Sequence, residues 1–225
     1  MLMFDPASGR LFDQARGQCF DPVNRSWTPE TLAGDAELSV VAAATWLQRQ
    51  SGHPLRQPIG VIGPREATAE QLAAAEALGA ALGTIGLFVV CGGRQGIMEA
   101  VCRGAAGAGG ISIGLLPETD TSGANRYVSI PIATGIGEAR NALVARAAFC
   151  LVAIGDSYGT LSEVALGLQF GRPVIGLCGA ARVEGVRQVK SVEDAVSRVA
   201  ALVLGLPAAD EGGRCELAAA RKNPQ

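Results

Sequence analysis

Between Pro58 and residue 204 the chain alternates short apolar runs of β-forming residues with helical patterns, and that alternation leaves few folds open. Leu-Phe-Val-Val-Cys at 87–91 and Pro-Val-Ile-Gly-Leu-Cys at 173–178 are apolar throughout, as strands are when both faces are covered. Such strands belong to a parallel sheet whose connections are helices. The pattern predicts strands at 58–63, 86–91, 110–116, 127–132, 149–154 and 173–178. Helices are predicted at about 65–84, 96–108, 137–148, 159–170 and 191–204. The fold class is α/β: a doubly wound, Rossmann-like, mostly parallel sheet with helices on both faces.

The 225 residues, 48% hydrophobic and 18% charged, suffice for one substantial core. We read 56–207 as a Rossmann-like ligand-binding domain, 1–55 as an N-terminal appendage and 208–225 as a polar tail. In the appendage, Phe4-Asp5-Pro6 and Phe20-Asp21-Pro22 echo each other, each followed by polar turn residues and then an aromatic, Phe12 or Trp27. Asp-Pro starts turns, so irregular or hairpin-like structure is expected there, then a helix over 35–50 capped by Asp35. Such an arm packs on the core or across a subunit interface.

Several function classes drop out on inventory. A net charge of −2, 4% aromatics and no basic stripe leave no footprint for nucleic acid. No apolar run reaches the length of a membrane span and the N-terminus lacks a basic n-region and an h-region, so no membrane association is expected and the expected location is cytoplasmic. His53 is the single histidine, and the six cysteines, Cys19, Cys91, Cys102, Cys150, Cys178 and Cys215, form no Cys-x-x-Cys pair, so no metal site is expected. Cys91, Cys150 and Cys178 fall in or beside strands, where cysteine packs as a small apolar residue. Lys190 and Lys222, the only lysines, lie far from the glycine-rich turns, which leaves a pyridoxal-phosphate Schiff base without its lysine.

Three glycine-bearing turns follow predicted strand ends, where open α/β sheets bind ligands. They are Gly63-Pro64-Arg65, Gly92-Gly93-Arg94-Gln95-Gly96-Ile97-Met98-Glu99, and Gly155-Asp156-Ser157-Tyr158-Gly159-Thr160. None spells the dinucleotide or the P-loop fingerprint. In the third, Gly159 is expected to take unusual backbone angles and Thr160 to cap a helix running to about Phe170, whose N-terminus attracts an anion. Asp156 sets a carboxylate in that same loop. Thr160-Leu161-Ser162-Glu163 also spells a capping box, a structural use that competes with chemistry for the Glu163 carboxylate. Arg140 and Asn141 open the helix beyond another strand end. The candidate ligand-contacting residues are Gly63, Gly92, Gly93, Arg94, Gly96, Met98, Asn141, Gly155, Ser157, Tyr158, Gly159 and Thr160, with Arg140 and Glu163 as the pair able to carry out catalysis.

Four motifs occur in order: Gly92-Gly93-x-x-Gly96-Ile97-Met98-Glu99-Ala100, Gly137-Glu138-Ala139-Arg140-Asn141-x-Leu143-Val144, Tyr158-Gly159-Thr160-Leu161-Ser162-Glu163-Val164-Ala165, and Gly171-x-Pro173-Val174-Ile175-Gly176-Leu177. Over about 57–205 they resemble the superfamily of the "lonely guy" phosphoribohydrolases, often mislabelled lysine decarboxylases, and the molybdenum-cofactor carrier proteins. The spacing is closer to the carrier and nucleotide-binding branch. The resemblance implies that Gly159 and Thr160 help hold a phosphate, that Arg140 orients a nucleotide, and that Glu163 in a hydrolase stabilises charge on the ribose. It also implies a homo-oligomer, dimer or tetramer.

The chain departs from the hydrolase signature, Pro-Gly-Gly-x-Gly-Thr-x-x-Glu, at Gly155-Asp156-Ser157, and Asn141 stands where the hydrolases carry lysine. Two like charges about 4 Å apart at an effective dielectric near 20 cost roughly 4 kcal/mol, which Ser157 as a donor offsets only in part. The expected function is therefore a binding protein for a nucleotide or another phosphorylated small molecule, with a nucleotide monophosphate or a molybdopterin-type cofactor as the bound group and none required for a reaction. A nucleoside 5′-monophosphate phosphoribohydrolase and a regulatory module with a vestigial pocket stay open.

Overall fold

The computed structural model describes residues 1–30 and 36–207. The polar tail expected at 208–225 and the cap expected at Asp35 lie outside the described residues. Four short strands, β1 (Leu2–Asp5), β2 (Arg10–Asp13), β3 (Gln18–Asp21) and β4 (Ser26–Pro29), form an antiparallel meander that β5 (Ala36–Leu38) extends beside β1. The regularity comes from a repeat of eight residues, with Phe4-Asp5, Phe12-Asp13 and Phe20-Asp21 in register. The middle copy is hidden because Gln14 replaces the proline. In each copy the Asp carboxylate accepts the amide two residues on, from Ala7 at 2.9 Å, Ala15 at 3.1 Å and Val23 at 2.9 Å. A left-handed residue then closes the turn: Gly9, Gly17 and, unusually for a side-chain-bearing residue, Arg25 at φ 50°.

The small sheet lies on helix α1 (Val40–Arg49). Leu2, Leu11 and Phe20 share one buried cluster with Trp46 and Leu47, and the Phe4 and Trp46 rings are 5.4 Å apart. α1 begins later than expected, because β5 occupies 36–38 and the Ser39 hydroxyl caps the helix by accepting from the Ala42 amide at 3.1 Å.

The main sheet holds β6 (Ile59–Ile62), β7 (Val89–Cys91), β8 (Ser112–Leu116), β9 (Ile130–Ala133), β10 (Leu151–Ile154), β11 (Val174–Leu177) and β12 (Val186–Gln188). Their order is β12-β11-β10-β6-β7-β8-β9, with every neighbouring pair parallel. β12, Val-Arg-Gln at the edge, has a single apolar residue and so escapes the hydrophobic pattern. Helices α2 (Ala69–Ile85), α3 (Ile97–Gly107), α4 (Asn141–Ala147), α5 (Tyr158–Gln169) and α6 (Val192–Val203) complete the fold. α1, α2, α3 and α6 bury one face with Val61, Val89 and Val152; α4 and α5 bury the other with Ile62, Val90 and Leu151. Val152 and Leu151 are chain neighbours on opposite faces, as strand alternation requires. The Trp27 indole donates to the Leu204 carbonyl at 2.7 Å and ties the small sheet to the end of α6. No helix among the described residues is long and apolar enough to cross a membrane.

α2 and α3 approach closely because glycines face each other's backbone. A Cβ at Gly104 would overlap the Glu76 carbonyl, and one at Gly79 would overlap that of Val101. Gly104→Ala gains roughly 1 kcal/mol in helix propensity but forces the helices apart, an overpacking of about 1–3 kcal/mol that a backbone neighbour cannot relieve by rotating away. A lower urea midpoint is expected; a raised one would mean that propensity outweighs the contact.

The chain runs from β6 outward through β7, β8 and β9, then returns to place β10 on the other side of β6. This reversal opens a crevice at the carboxyl ends of β6 and β10, where ligands of such sheets bind. Gly63 and Gly155 directly follow these two strands, and a Cβ on Gly63 would lie 2.6 Å from the Ile154 carbonyl.

Candidate functional site

Arg140 ends a 3-10 turn, Gly137–Arg140, that follows β9 and leads into α4. It is only 5% exposed. Its Nη1 donates to Glu163 Oε1 at 3.0 Å and to Asn141 Oδ1 at 2.7 Å. Glu163, on α5, is equally buried, and desolvation pushes its carboxyl up to about 7 against the opposing pull of the guanidinium. The guanidinium lies over Gly92, where a Cβ would come within 2.7 Å of Arg140 Cζ and of Met98 Sδ. Arg140 Nε is buried and has no hydrogen-bond partner among the described residues.

The 92–96 turn is fixed from several sides. Gly93, at φ 72°, lies against Gly114, and a Cβ on it would be 3.0 Å from that Cα. Asn125 donates through Nδ2 to the carbonyls of Gly93 and Arg94, each at 3.0 Å, and through its amide to Gly93 O at 2.9 Å. The Arg94 guanidinium pairs with Glu118. At Gly96, also left-handed, a Cβ would fall 2.5 Å from Pro64 O, and the first amide of α3, that of Ile97, donates to the same carbonyl at 3.1 Å. Gly63 packs against Ile97, where its Cβ would be 2.7 Å from Cγ1. Gly63 and Gly96 thus dock one turn on the other.

The 155–160 loop differs from expectation in three ways. The cap of α5 is Ser157, whose Oγ accepts from the Thr160 amide at 3.1 Å and meets the Thr160 hydroxyl at 2.9 Å. Thr160 is therefore inside the helix, and Ser157, at the loop's extended residue, reaches its amide first. The capping box at 160–163 does not form, because Glu163 turns inward to the stronger partner, a full guanidinium charge. Gly159 lies in the first helical turn, and the left-handed residue is Gly155, at φ 68°. There the Gln71 amide fills the space a side chain would need, 2.6 Å from where a Cβ would sit, and donates to Cys178 O at 3.0 Å.

Asn141 acts as a clamp between helices: its Oδ1 receives Arg140, its Nδ2 donates to Ser162 Oγ at 2.9 Å, and Ser162 donates to Gly159 O at 2.7 Å. Asp156 and Tyr158 are exposed, Tyr158 at 95%. Exposure reduces the repulsion between Asp156 and an incoming phosphate to about 1 kcal/mol, the value for unit charges about 4 Å apart in water. Asp156→Gly is accordingly expected to tighten phosphate binding by about fivefold in a calorimetric titration; unchanged affinity would show that the side chain faces away.

Arg140, Glu163, Asn141, Gly92 and Met98 converge, and the 155–160 loop is joined to them through Ser162. Asn125, Glu118, Gln71 and Ser162, which shape the site, were not among the sequence candidates. Only Ser162 lay within a recognised motif. A cleft of about 320 Å³ between Arg49, Leu55, Gly83 and Ile111 opens at the amino ends of the strands and takes no part in this constellation. No group of three or more His, Cys, Asp or Glu among the described residues could hold a metal ion.

Residues 56–203 match the SLOG cluster4 family, which leaves the five-stranded sheet outside the match. A protein of Archaeoglobus fulgidus described as uncharacterized is 35% identical over 139 residues, 62% of this chain and 91% of that one. The molybdenum cofactor binding protein of the phototrophic bacterium Rippkaea orientalis superposes with a TM-score of 0.63 at 34% identity, over 66% of this chain and 99% of its own. The molybdenum cofactor carrier protein of Chlamydomonas reinhardtii gives 0.61 at 36% identity, with the same coverage of 66% and 99%.

Proposed function

The chain belongs to the SLOG cluster4 family, and from that premise we propose that it is a cytoplasmic binding protein for a phosphorylated small molecule, a molybdopterin-type cofactor first and a nucleotide second. The supporting observation is Arg140, a buried cation at the crevice whose Nε has no partner. A buried donor left unmade is costly, and an anionic oxygen offers the charge-assisted bond it lacks. Gly92 leaves the room over the backbone that the Arg140 guanidinium occupies, and the first-turn amides of α5 add positive potential near its partner Glu163. A bound molybdopterin would supply metal–dithiolene chemistry to the enzyme that receives it. The role of this chain is to hold the phosphate end.

The test is a thermal shift series with AMP and with a pterin phosphate at millimolar concentration, followed by titration. A ligand at a hundred times its Kd stabilises the fold by about 2.7 kcal/mol. No shift with either compound overturns the proposal. Glu163 favours one second reading, a nucleoside 5′-monophosphate phosphoribohydrolase, since a carboxyl poised at about 7 beside a guanidinium suits charge development at a ribose. Ribose 5-phosphate released from AMP by the wild type and not by Glu163→Gln would establish that activity, and binding without turnover rejects it. We also propose a homo-oligomer. Tyr158, Leu161, Leu143 and Ile136 expose apolar surface on and around α4 and α5, and light scattering reads the mass directly.

A further inference from the structure

Cys91 ends β7 and Cys102 lies in α3, and their sulfurs are 3.6 Å apart in the buried core. Cysteine as core filler does not account for the pairing or for its position directly behind the 92–96 turn. The Gly93 amide donates to Cys91 Sγ at 3.3 Å, so one of the two sulfurs is itself part of the turn. No third metal-ligating side chain joins them among the described residues, which disfavours a tetrahedral metal and leaves thiol chemistry.

We propose that Cys91 and Cys102 form a reversible disulfide that resets the 92–96 turn and with it the ligand affinity of the site described above. The second half of this proposal rests on the ligand reading; the first does not. A disulfide needs about 2.05 Å between sulfurs, so the pair must close by roughly 1.5 Å. That movement withdraws the acceptor of the Gly93 N–H, next to Gly92 and the Arg140 guanidinium. With a hydroperoxide as oxidant, the Cys102 thiolate attacks the outer oxygen. The O–O bond breaks, an alcohol or water leaves, and a sulfenic acid forms. The Cys91 sulfur then displaces its oxygen as water while the S–S bond forms. Two thiols and one hydroperoxide give one disulfide, one alcohol and one water. The hydrogen bond from Cys91 lowers the Cys102 thiol from its ordinary value and raises Cys91, so Cys102 is assigned the first step and Cys91 the second.

Reduced protein is treated with peroxide, alkylated while denatured, and digested with trypsin without reduction. The expected product joins the peptide ending at Arg94 to that ending at Arg103, about 2 Da lighter than their sum. It should be missing in Cys91→Ala and in Cys102→Ala, each checked for folding by its melting curve. Failure to find it in the wild type overturns the proposal. Hydrogen exchange at Gly93 should quicken on oxidation and recover with dithiothreitol; unchanged exchange overturns the switch without any ligand. AMP affinity should fall at least tenfold in the oxidised wild type and not in Cys102→Ala. Equal AMP affinity in both redox states overturns the regulation, whereas no AMP binding by reduced protein bears on the ligand reading alone.

Discussion

Arg140→Met is expected to destabilise the fold by about 3–5 kcal/mol at pH 8, the usual consequence of leaving one charge of a buried pair alone. The loss should shrink at pH 5. Without the guanidinium, the Glu163 carboxyl rises further above its value of about 7 and is neutral at pH 5, so only hydrogen bonds to Glu163 and Asn141 are lost, about 1 kcal/mol each. Urea unfolding at the two pH values separates these cases, and equal destabilisation at both would mean that the charge pairing is not what Arg140 contributes. Affinity for AMP should fall about ten- to a hundredfold, the worth of one charge-assisted hydrogen bond. Arg140→Lys should recover little, because an ammonium cannot hold Glu163 and Asn141 through one nitrogen while turning others toward a ligand.

The inner strands of the main sheet were legible because they are buried on both faces and leave unbroken apolar runs. β12 was not, since an edge strand needs no such run. The start of α2 is later than periodicity implies because Thr68 and Gln71 form the capping box that the motif at 160–163 only spells. At α5 the cap is assigned by geometry: Ser157 and Thr160 are both good caps in sequence, and the extended backbone at Ser157 decides between them. The N-terminal repeat was half visible, its central Phe12-Asp13 masked by the loss of one proline. Arg140 and Glu163 were named through family motifs, but nothing local joins residues 23 positions apart. Asn125 could not be named, because it acts through backbone carbonyls brought near by sheet order and a lone amide in a loop carries no pattern; Thr68-x-x-Gln71 spells a capping box, but nothing in that motif points to the Gln71 contact with the Cys178 carbonyl.

Glu163 makes stability depend on pH in a direction opposite to that of a solvent-paired carboxylate. Its folded value, about 7, lies above the ordinary 4.5, so below pH 4.5 both states hold the proton and nothing is lost. Between 4.5 and 7 the unfolded chain releases its proton while the folded chain keeps it, and stability declines as pH rises. The decline totals about 3 kcal/mol and is complete just above the folded value. Asp13 and Glu76, held below their ordinary values, act at lower pH and with the opposite sign, so the comparison must be made against Glu163→Gln. The wild type minus Glu163→Gln difference should slope between pH 4.5 and 7 and be flat outside that window. A difference flat throughout would place the Glu163 carboxyl at its ordinary value. Ligand binding follows from the same coupling. An anion bound at Arg140 Nε sets a second negative charge beside the carboxyl and disfavours its ionised form, so binding drives proton uptake by Glu163. Affinity for AMP should therefore weaken as pH rises through 7 more steeply in the wild type than in Glu163→Gln, whose neutral amide still accepts from Arg140 but repels nothing. Tighter binding by Glu163→Gln above pH 7, with no ribose 5-phosphate released by either protein, would identify Glu163 as a proton-linked gate on the anion site and separate a carrier from a hydrolase.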